Sequence, residues 1–433
     1  MKFKENIYLK VGLIIFIALL LMIPTAMIQE LIGEREYRQQ EAIQEVSSKW
    51  AEAQTLSGPF ITIPYYKYVT PSSSDSTNKV VKIRDFIHLL PNNLIISGNI
   101  NPEKRYRGIF EIVVYNSTIN ISGNFEKPDL KSLDIPLEDI QFDKATMSMG
   151  INDLRGIEEQ VVLTWKTTPI RFNPGLRSSD LSPSGINALL NIENEEDLSG
   201  NFSIDLNLNG SQRFFFTPVG KTTEVSIRSD WETPSFNGAF LPDDHSVSEA
   251  GFEANWKVLH LNRNFPQLWT SRQYSIETAA FGIDLLLPVD NYQKTYRSVR
   301  YAILFVGFTF MVFFFIEILN KIKLHPFQYI LAGMALIVFF TLLLSISEHL
   351  SFNGAFILSA LATLSLVAAY MKAILKFNKL TMLITGLLAL LYLFIFVIIQ
   401  LEDLALLIGS IGLFIVLAVV MYISRKIDWY EVN

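Results

Sequence analysis

Six stretches of about 20 mostly apolar residues, one near the N-terminus and five near the C-terminus, constrain the fold of this chain more than any other feature. An α-helix of about that length crosses roughly 30 Å of bilayer hydrocarbon and satisfies its own backbone hydrogen bonds there. We therefore predict a multi-pass membrane protein that contacts the lipid bilayer through six transmembrane helices. The predicted spans are Ile7–Ile28, Val299–Leu319, Gln328–Ser347, Phe352–Met371, Leu380–Ile399 and Leu404–Ser424.

The first apolar stretch follows several lysines, as the hydrophobic region of a signal peptide does. It continues through Ile28, however, and no small-x-small cleavage site follows Pro24. We predict an uncleaved anchor over residues 7–29, preceded by a cytoplasmic segment at residues 1–6.

Among the short connections between spans, only every second one contains Lys or Arg, so these cations all fall on one side of the membrane. Lys and Arg accumulate on the cytoplasmic side of membranes. The turns Glu348–Ser351 and Gln400–Asp403 contain neither. We predict that both termini, including residues 425–433, are cytoplasmic and that the segment between the first two spans is extracytoplasmic. The cations on the predicted cytoplasmic side are Lys2, Lys4, Lys10, Lys321, Lys323, Lys372, Lys376, Lys379, Arg425 and Lys426.

Two patterns divide the segment between the first and second spans. Residues 30–50 are highly charged and have an apolar stripe at Ile43, Val46 and Trp50, which predicts a helical stalk that packs on the following domain. Residues 51–297 contain short alternating apolar segments separated by Gly, Pro, Asn and Asp, which predict a β-rich, sandwich-like domain of antiparallel sheets. We expect at most a short helix in Ser178–Glu196. The predicted strands include Phe60–Ile63, Ile109–Tyr115, Ile119–Ser122, Val161–Trp165 and Phe202–Leu208.

The same domain has no sequence motif typical of an enzyme. Its histidines, His88, His245 and His260, are scattered without metal-ligand spacing. Asp243, Asp244 and His245 form an acidic cluster that we interpret as a solvated turn rather than a metal site. The chain has no Cys, and its net charge of −6 without a basic cluster argues against nucleic acid as a partner. We expect no catalytic residue, metal or cofactor.

Several segments in both regions resemble the CreD family of bacterial inner-membrane proteins, also called cell envelope integrity proteins. The resemblance covers nearly the whole chain, in matching order and spacing. The segments that carry it are Arg107–Phe110, Asp153–Ile157, Ser229–Trp231, Pro234–Phe236, Phe240–Pro242, Gly251–Phe252, Trp256, Tyr301–Leu304, Phe313–Glu317, His325–Pro326, Gln328–Tyr329, Gly333, Ser347–His349 and Ile427–Tyr430.

The resemblance implies a location in the bacterial inner membrane and no known enzymatic activity. Members of the family are associated with envelope integrity, with sensitivity to certain colicins, and with a two-component system tied to the β-lactam response.

A carboxylate inside the membrane costs about 2.5–3.5 kcal/mol on insertion scales, so such residues are candidates for function. Glu317 lies near the end of the second span, and the loop that follows returns His325 and Gln328 to a similar depth. We predict an intramembrane polar cluster of these three residues. The alternative is that Glu317 pairs with Lys321, one helical turn away, and anchors the helix end.

A second polar group lies at the other end of the third span. Ser347, Glu348 and His349 fall near the predicted outer interface, where terminal side chains can cap the helix or reach water. We interpret this outer-interface group mainly as such an anchor.

Three functions compete on this evidence. The first is a non-catalytic envelope protein whose extracytoplasmic domain binds an unknown envelope component. The second is a transporter or channel that uses Glu317 and Glu348, which the lack of paired broken helices disfavours. The third is an enzyme acting on lipid or peptidoglycan precursors, for which the sequence lacks clustered acids and histidines.

Overall fold

The computed structural model describes residues 7–69, 81–285, 291–320, 322–375, 378–401 and 404–425. The chain divides into two compact units, one formed by residues 1–40 and 289–433 and the other by residues 41–288. The predicted cytoplasmic segments 1–6 and 426–433, with the segment Ile427–Tyr430, lie outside the described residues. The helices are α1 (Ile7–Leu20), α2 (Met22–Trp50), α3 (Asn291–Arg300), α4 (Ala302–Leu319), α5 (Pro326–Ser347), α6 (Phe352–Leu375), α7 (Asn378–Gln400) and α8 (Ala405–Ser424).

Six helical segments among the described residues are long and apolar enough to cross a membrane. The first comprises α1 and α2, and the others are α4 to α8, one N-terminal and five C-terminal. The prediction of six spans is confirmed, and most helix ends lie within a few residues of the predicted ones. The last helix, α8, has no buried residue among those described, so it lies at the periphery of its unit.

One face of α1 and α2 packs against the C-terminal helices. Ile17, Leu21, Thr25, Ile28 and Ile32 recur every three or four residues and are all buried, as residues on a single helix face must be. The packing is close because α5 presents a glycine, Gly333, to the side chain of Leu21. The N-terminal anchor is thus an integral part of the membrane bundle.

The short helix α3 precedes α4 and was not predicted. The sequence pattern predicts a β-rich domain up to residue 297 and a second span that begins at Val299. In the structure α3 is a separate polar helix whose Thr295 and Ser298 hydroxyls bond to backbone carbonyls one turn earlier. Its low hydropathy concealed it, since the prediction searched only for apolar helices.

The β-rich domain contains two large sheets around one hydrophobic core. One sheet has the order β13-β17-β11-β1-β5-β9-β8, with β2 on β1 and β16 on β2, and the other has the order β14-β15-β12-β3-β4-β10-β6-β7. The strands are β1 (Gln54–Val69), β2 (Val81–Leu89), β3 (Asn93–Arg107), β4 (Phe110–Phe125), β5 (Thr146–Ile151), β6 (Val162–Trp165), β7 (Thr168–Arg171), β8 (Asn173–Pro174), β9 (Gly185–Leu189), β10 (Gly200–Ser211), β11 (Arg213–Thr217), β12 (Thr222–Ser229), β13 (Pro234–Gly238), β14 (Asp244–Ser248), β15 (Gly251–Leu259), β16 (Leu268–Thr270) and β17 (Phe281–Leu285).

The predicted β-rich fold is confirmed, with three corrections. The strand pairs β1–β11 and β3–β12 are parallel, so the sheets are mixed rather than purely antiparallel. The segment Ser178–Glu196 contains a strand, β9, in addition to the start of a short 3-10 helix. Finally, the two predicted strands Ile109–Tyr115 and Ile119–Ser122 form one long strand, β4, which begins at Phe110 after Ile109 in the turn.

The strand β4 was divided in the prediction because its outward face changes character at Asn116. Ile112 and Val114 on this face are buried beneath the end of α2, where Ile43, Val46 and Trp50 pack against them. Beyond Asn116 the outward positions are polar. The apolar stripe expected on the stalk therefore faces an apolar patch on the sheet.

We expect Gly333→Ala to weaken the packing of the N-terminal span, because the new methyl group would overlap the buried side chain of Leu21. Overpacking of this kind costs about 1–3 kcal/mol. The thermal midpoint in detergent should fall, and Leu21→Ala added to Gly333→Ala should cost less than the sum of the single changes. Gly307→Ala in α4 is the matched control, since a methyl group there meets open space. Equal midpoints for both alanine variants would contradict the close approach.

Candidate functional site

The carboxylate of Glu317 joins three parts of the membrane bundle. It forms an ion pair with Lys10 of α1, and the Tyr329 hydroxyl of α5 donates a hydrogen bond to Oε2 at 3.0 Å. The backbone N–H of Leu324 donates to Oε1 at 3.1 Å. Glu317 is 7% exposed, so these groups replace the water that the buried charge has lost.

This arrangement is a joint between α1, α4 and α5. An isolated buried charge is costly, whereas one with an opposite charge and further hydrogen bonds is tolerated. Removing Glu317 would take from Lys10 and Tyr329 the acceptor that they share. The joint is therefore a place where the three helices depend on one another.

The predicted cluster of Glu317, His325 and Gln328 is wrong in its membership. The Gln328 side chain accepts a hydrogen bond from the backbone N–H of His325 at 3.0 Å, and His325 Nδ1 accepts from the N–H of Phe327 at 3.2 Å. These two side chains cap the start of α5, where Pro326 occupies the first turn. The alternative partner of Glu317, Lys321, lies outside the described residues.

Lys10 and Tyr329 were not predicted as partners of Glu317. Lys10 served only as an indicator of orientation, although a lysine inside an apolar stretch is itself an intramembrane charge in need of a partner. Pairing two unlike charges on different spans is the signal that could have found it.

The outer-interface group also takes part in helix contacts. Glu348 Oε1 lies 3.5 Å from Arg35 Nε of α2, and Asn291 of α3 donates a hydrogen bond to the Ser347 carbonyl at 2.9 Å. The Ser347 hydroxyl bonds to the carbonyl of Leu344, within α5. The side chain of His349 is exposed.

Glu317 of α4 binds Tyr329 near the start of α5, and Glu348 follows the last residue of α5, which is about 33 Å long for its 22 residues. Their partners, Lys10 and Arg35, lie on the same face of the N-terminal helices as the buried stripe, about 37 Å apart along the axis. The N-terminal span is thus fixed to the C-terminal spans by one ion pair near each end.

The histidines of the β-rich domain do not form a site with one another. His88 is buried on β2, its Nε2 3.0 Å from Asp180 Oδ2, and burial lowers the pKa of its imidazole. His260 opens a short 3-10 helix. Within the described ranges, no group of three or more His, Asp or Glu residues could hold a metal ion.

The acidic cluster at Asp243 lies partly in a strand rather than wholly in a turn. Asp244 and His245 belong to β14, an exposed edge strand, and His245 packs against the ring of Phe236 at 5.2 Å. Asp243 precedes the strand, and its carboxylate accepts a hydrogen bond from the N–H of Lys257. The cluster is solvated, and Asp243 and His245 have structural partners.

The segment Asp153–Ile157 binds the end of the stalk helix. Asp153 accepts hydrogen bonds from the N–H of Glu52 at 2.9 Å and from the guanidinium of Arg155 at 2.7 Å. Arg155 in turn bonds to the Ser48 carbonyl, one of the last carbonyls of α2. Hydrogen bonds from Arg155 and from backbone N–H groups hold the pKa of the Asp153 carboxyl below its usual range, against the effect of burial.

The segment Arg107–Phe110 contacts the same helix. It forms the two-residue turn between β3 and β4, in which Gly108 adopts a positive φ of 62°. The Arg107 guanidinium forms two hydrogen bonds of 3.0 Å to the carboxylate of Glu45. Two segments that carry the family resemblance therefore share one role, which is to fix the end of α2 to the sheet.

Comparisons with known proteins agree with the resemblance. The family model described as "Inner membrane protein CreD" matches residues 6–430. The chain is 33% identical over 432 residues to the inner membrane protein CreD of Escherichia coli (strain K12), covering 99% of this chain and 94% of that protein.

Solved structures give only a weak likeness. A mutant of an M1 zinc metallopeptidase from Deinococcus radiodurans aligns with 39% of this chain and 38% of its own, at 7% identity and a TM-score of 0.20. A two-domain M1 zinc metallopeptidase bound to L-arginine aligns with 51% of this chain and 54% of its own, at 9% identity and a TM-score of 0.21. Scores this low carry no argument about fold or activity.

We expect Glu317→Leu to destabilise the membrane bundle by about 1–3 kcal/mol, because Lys10 and Tyr329 lose their shared acceptor. Lys10→Leu combined with Glu317→Leu should cost clearly less than the sum of the two single changes, since one change already breaks the joint. The measurement is thermal unfolding in detergent. His325→Leu is the control, and its effect should add to that of Glu317→Leu. If the destabilisation by Lys10→Leu and by Glu317→Leu were additive, the two residues would not act as one joint.

Proposed function

Because the chain belongs to the CreD family of inner-membrane proteins, we propose that it is a non-catalytic protein that contributes to cell envelope integrity or to the envelope stress and β-lactam response. Its β-rich domain lies on the extracytoplasmic side of the inner membrane, where it binds another envelope component. The six helices anchor this domain.

The observation that carries this proposal is the use of the two intramembrane glutamates. Glu317 binds Lys10 and Tyr329, and Glu348 binds Arg35, so each acid holds helices together. A bundle whose charged groups are paired in this way is suited to anchoring. The two segments that fix α2 to the sheet likewise serve attachment.

Transport through the bundle is the competing function. A transport path would place Glu317 and Glu348 in one water-accessible cavity, but Glu348 lies about 28 Å along α5 from Tyr329, the residue that binds Glu317. The cavity of 400 Å³ between α4, α7 and α8 is lined mostly by apolar side chains such as Phe394 and Val416, and by neither glutamate. The geometry favours the anchor.

The proposed orientation predicts which positions are accessible from outside intact cells. The chain has no Cys, so single cysteines are unambiguous reporters. Ser246→Cys on the exposed strand β14 should react with a membrane-impermeant maleimide in spheroplasts, whereas Asn378→Cys at the start of α7 should react only after the membrane is opened. Labelling of Asn378→Cys in sealed spheroplasts would reverse the orientation.

The proposed role predicts an envelope defect in cells that lack the protein. Such cells should leak periplasmic enzymes and change their sensitivity to β-lactams, and the full chain should restore both properties. A variant without residues 53–285 that keeps all six spans should not restore them, because it lacks the interaction domain. Immunoblotting of membranes controls for its abundance. Restoration by that variant at equal abundance would place the function in the bundle instead.

A further inference from the structure

The outward face of the second sheet, from β14 to β10, is a continuous array of hydrogen-bonding side chains. Two adjacent rows of residues cross the six strands β14, β15, β12, β3, β4 and β10. Each row has one residue per strand, and each residue is paired with the row's residue on the neighbouring strand. None of the twelve side chains is buried. The rows are Asp244, Asn255, Ser226, Ser97, Asn120 and Asp205, and Ser246, Glu253, Arg228, Asn99, Thr118 and Asn207.

Asparagine is the most frequent residue at the outward positions of β3, β4, β10 and β15, although asparagine is depleted in β-strands. A solvated sheet face needs only to be polar. Thr, Lys or Glu would make it polar with less loss of β-strand propensity. A local conflict between residue type and structure is typical of functional sites. The asparagines at outward positions of β3, β4, β10 and β15 are Asn93, Asn99, Asn101, Asn116, Asn120, Asn124, Asn201, Asn207, Asn209 and Asn255.

Hydrogen bonds between neighbouring strands fix the orientation of several of these amides. The Asn120 amide donates to Asp205 at 2.7 Å, and the Asn101 amide donates to Asn116 at 3.0 Å. Each carboxamide has two donor hydrogens and an acceptor oxygen, so one such bond leaves other groups directed to solvent. The face is therefore an ordered surface of donors and acceptors.

A cleft of about 370 Å³ overlaps the second of these rows. Its lining includes Asn99, Asn101, Ser246 and the ion pair between Arg228 and Glu253, whose Nη2 and Oε1 atoms are 3.0 Å apart. The cleft adds a concave element to an otherwise flat face. A linear ligand bound across the strands would contact both the rows of side chains and the cleft.

The chemistry of the face excludes several classes of partner. Three acids and one arginine among the twelve residues give no cationic patch for a polyanion. The rows also contain no aromatic or Met side chain of the kind that anchors protein partners. What remains is a ligand that both donates and accepts many hydrogen bonds and carries little charge, which describes the hydroxyl and acetamido groups of a polysaccharide.

We propose that this face binds the glycan strand of peptidoglycan. The inference rests on the proposed function, since it requires the domain to lie on the extracytoplasmic side, and it names the envelope component. The strand lies across β3, β4 and β10, and its hydroxyl and acetamido groups pair with the oriented amides.

The test is cosedimentation of the full-length protein, in detergent, with purified peptidoglycan sacculi. The wild-type protein should sediment with the sacculi, and Asn120→Val combined with Asn207→Val should lower its affinity at least tenfold. Valine removes donor and acceptor but favours strands. Asn173→Val, at an exposed strand position of the other sheet, is the matched control and should bind as the wild type does. Equal binding by the double variant, or no binding by the wild type, overturns the proposal.

A competition experiment uses the wild-type protein alone. It therefore tests the proposal even when the double variant does not fold. Soluble neutral oligomers of N-acetylglucosamine should displace the wild-type protein from sacculi, whereas polyphosphate should not. Displacement by polyphosphate alone would indicate an ionic contact and overturn the proposal. If sacculi fail to bind while cells lacking the protein still leak, the proposed function stands and only the glycan inference falls.

Discussion

The need of a buried charge for a partner determines how the membrane part of this protein is built. Glu317 and Lys10 are separated by most of the chain, yet neither charge could remain inside an apolar bundle alone. Their pairing requires the first helix to pack beside α4 and α5 rather than act as a separate tether. The stripe from Ile17 to Ile32 follows the same face, and Arg35 completes it with a pair to Glu348. Burial of apolar surface and neutralisation of charge therefore select the same helix face.

The helix α2 begins in the membrane unit and ends in the β-rich unit, and its two parts have different partners. Near its end, Trp50 donates a hydrogen bond to the Tyr115 carbonyl, while Arg107 and Arg155 bind Glu45 and the Ser48 carbonyl. Surface ion pairs are individually weak. Here the ion pairs surround an apolar contact, which supplies the buried surface area between the end of α2 and the sheet. The polar groups therefore determine where the helix end lies more than how strongly it is held.

The long strand β4 has two environments on one face. Toward its start, the outward side chains of Ile112 and Val114 are apolar, and the stalk helix buries them. From Asn116 onward, alternate residues face solvent, and most of them are amides or hydroxyls. The opposite face continues without interruption into the hydrophobic core, where Ile119 and Ile121 are buried. A single strand thus contributes to the core, to the stalk contact and to the proposed glycan surface.

Hydropathy, alternation and short motifs are local properties of the chain, and they predict the number and position of the spans, the β-rich class of the middle domain and the family. They do not predict which distant residues become partners. Glu317 was placed with nearby His325 although its partner is Lys10, and Ile109–Ser122 was divided because no local pattern shows that a helix covers half of one strand face. Parallel pairing such as β1 with β11 is equally invisible, since it depends on which distant segments meet. Contacts between residues far apart in sequence are decided by packing of the whole fold, and only the tertiary structure records them.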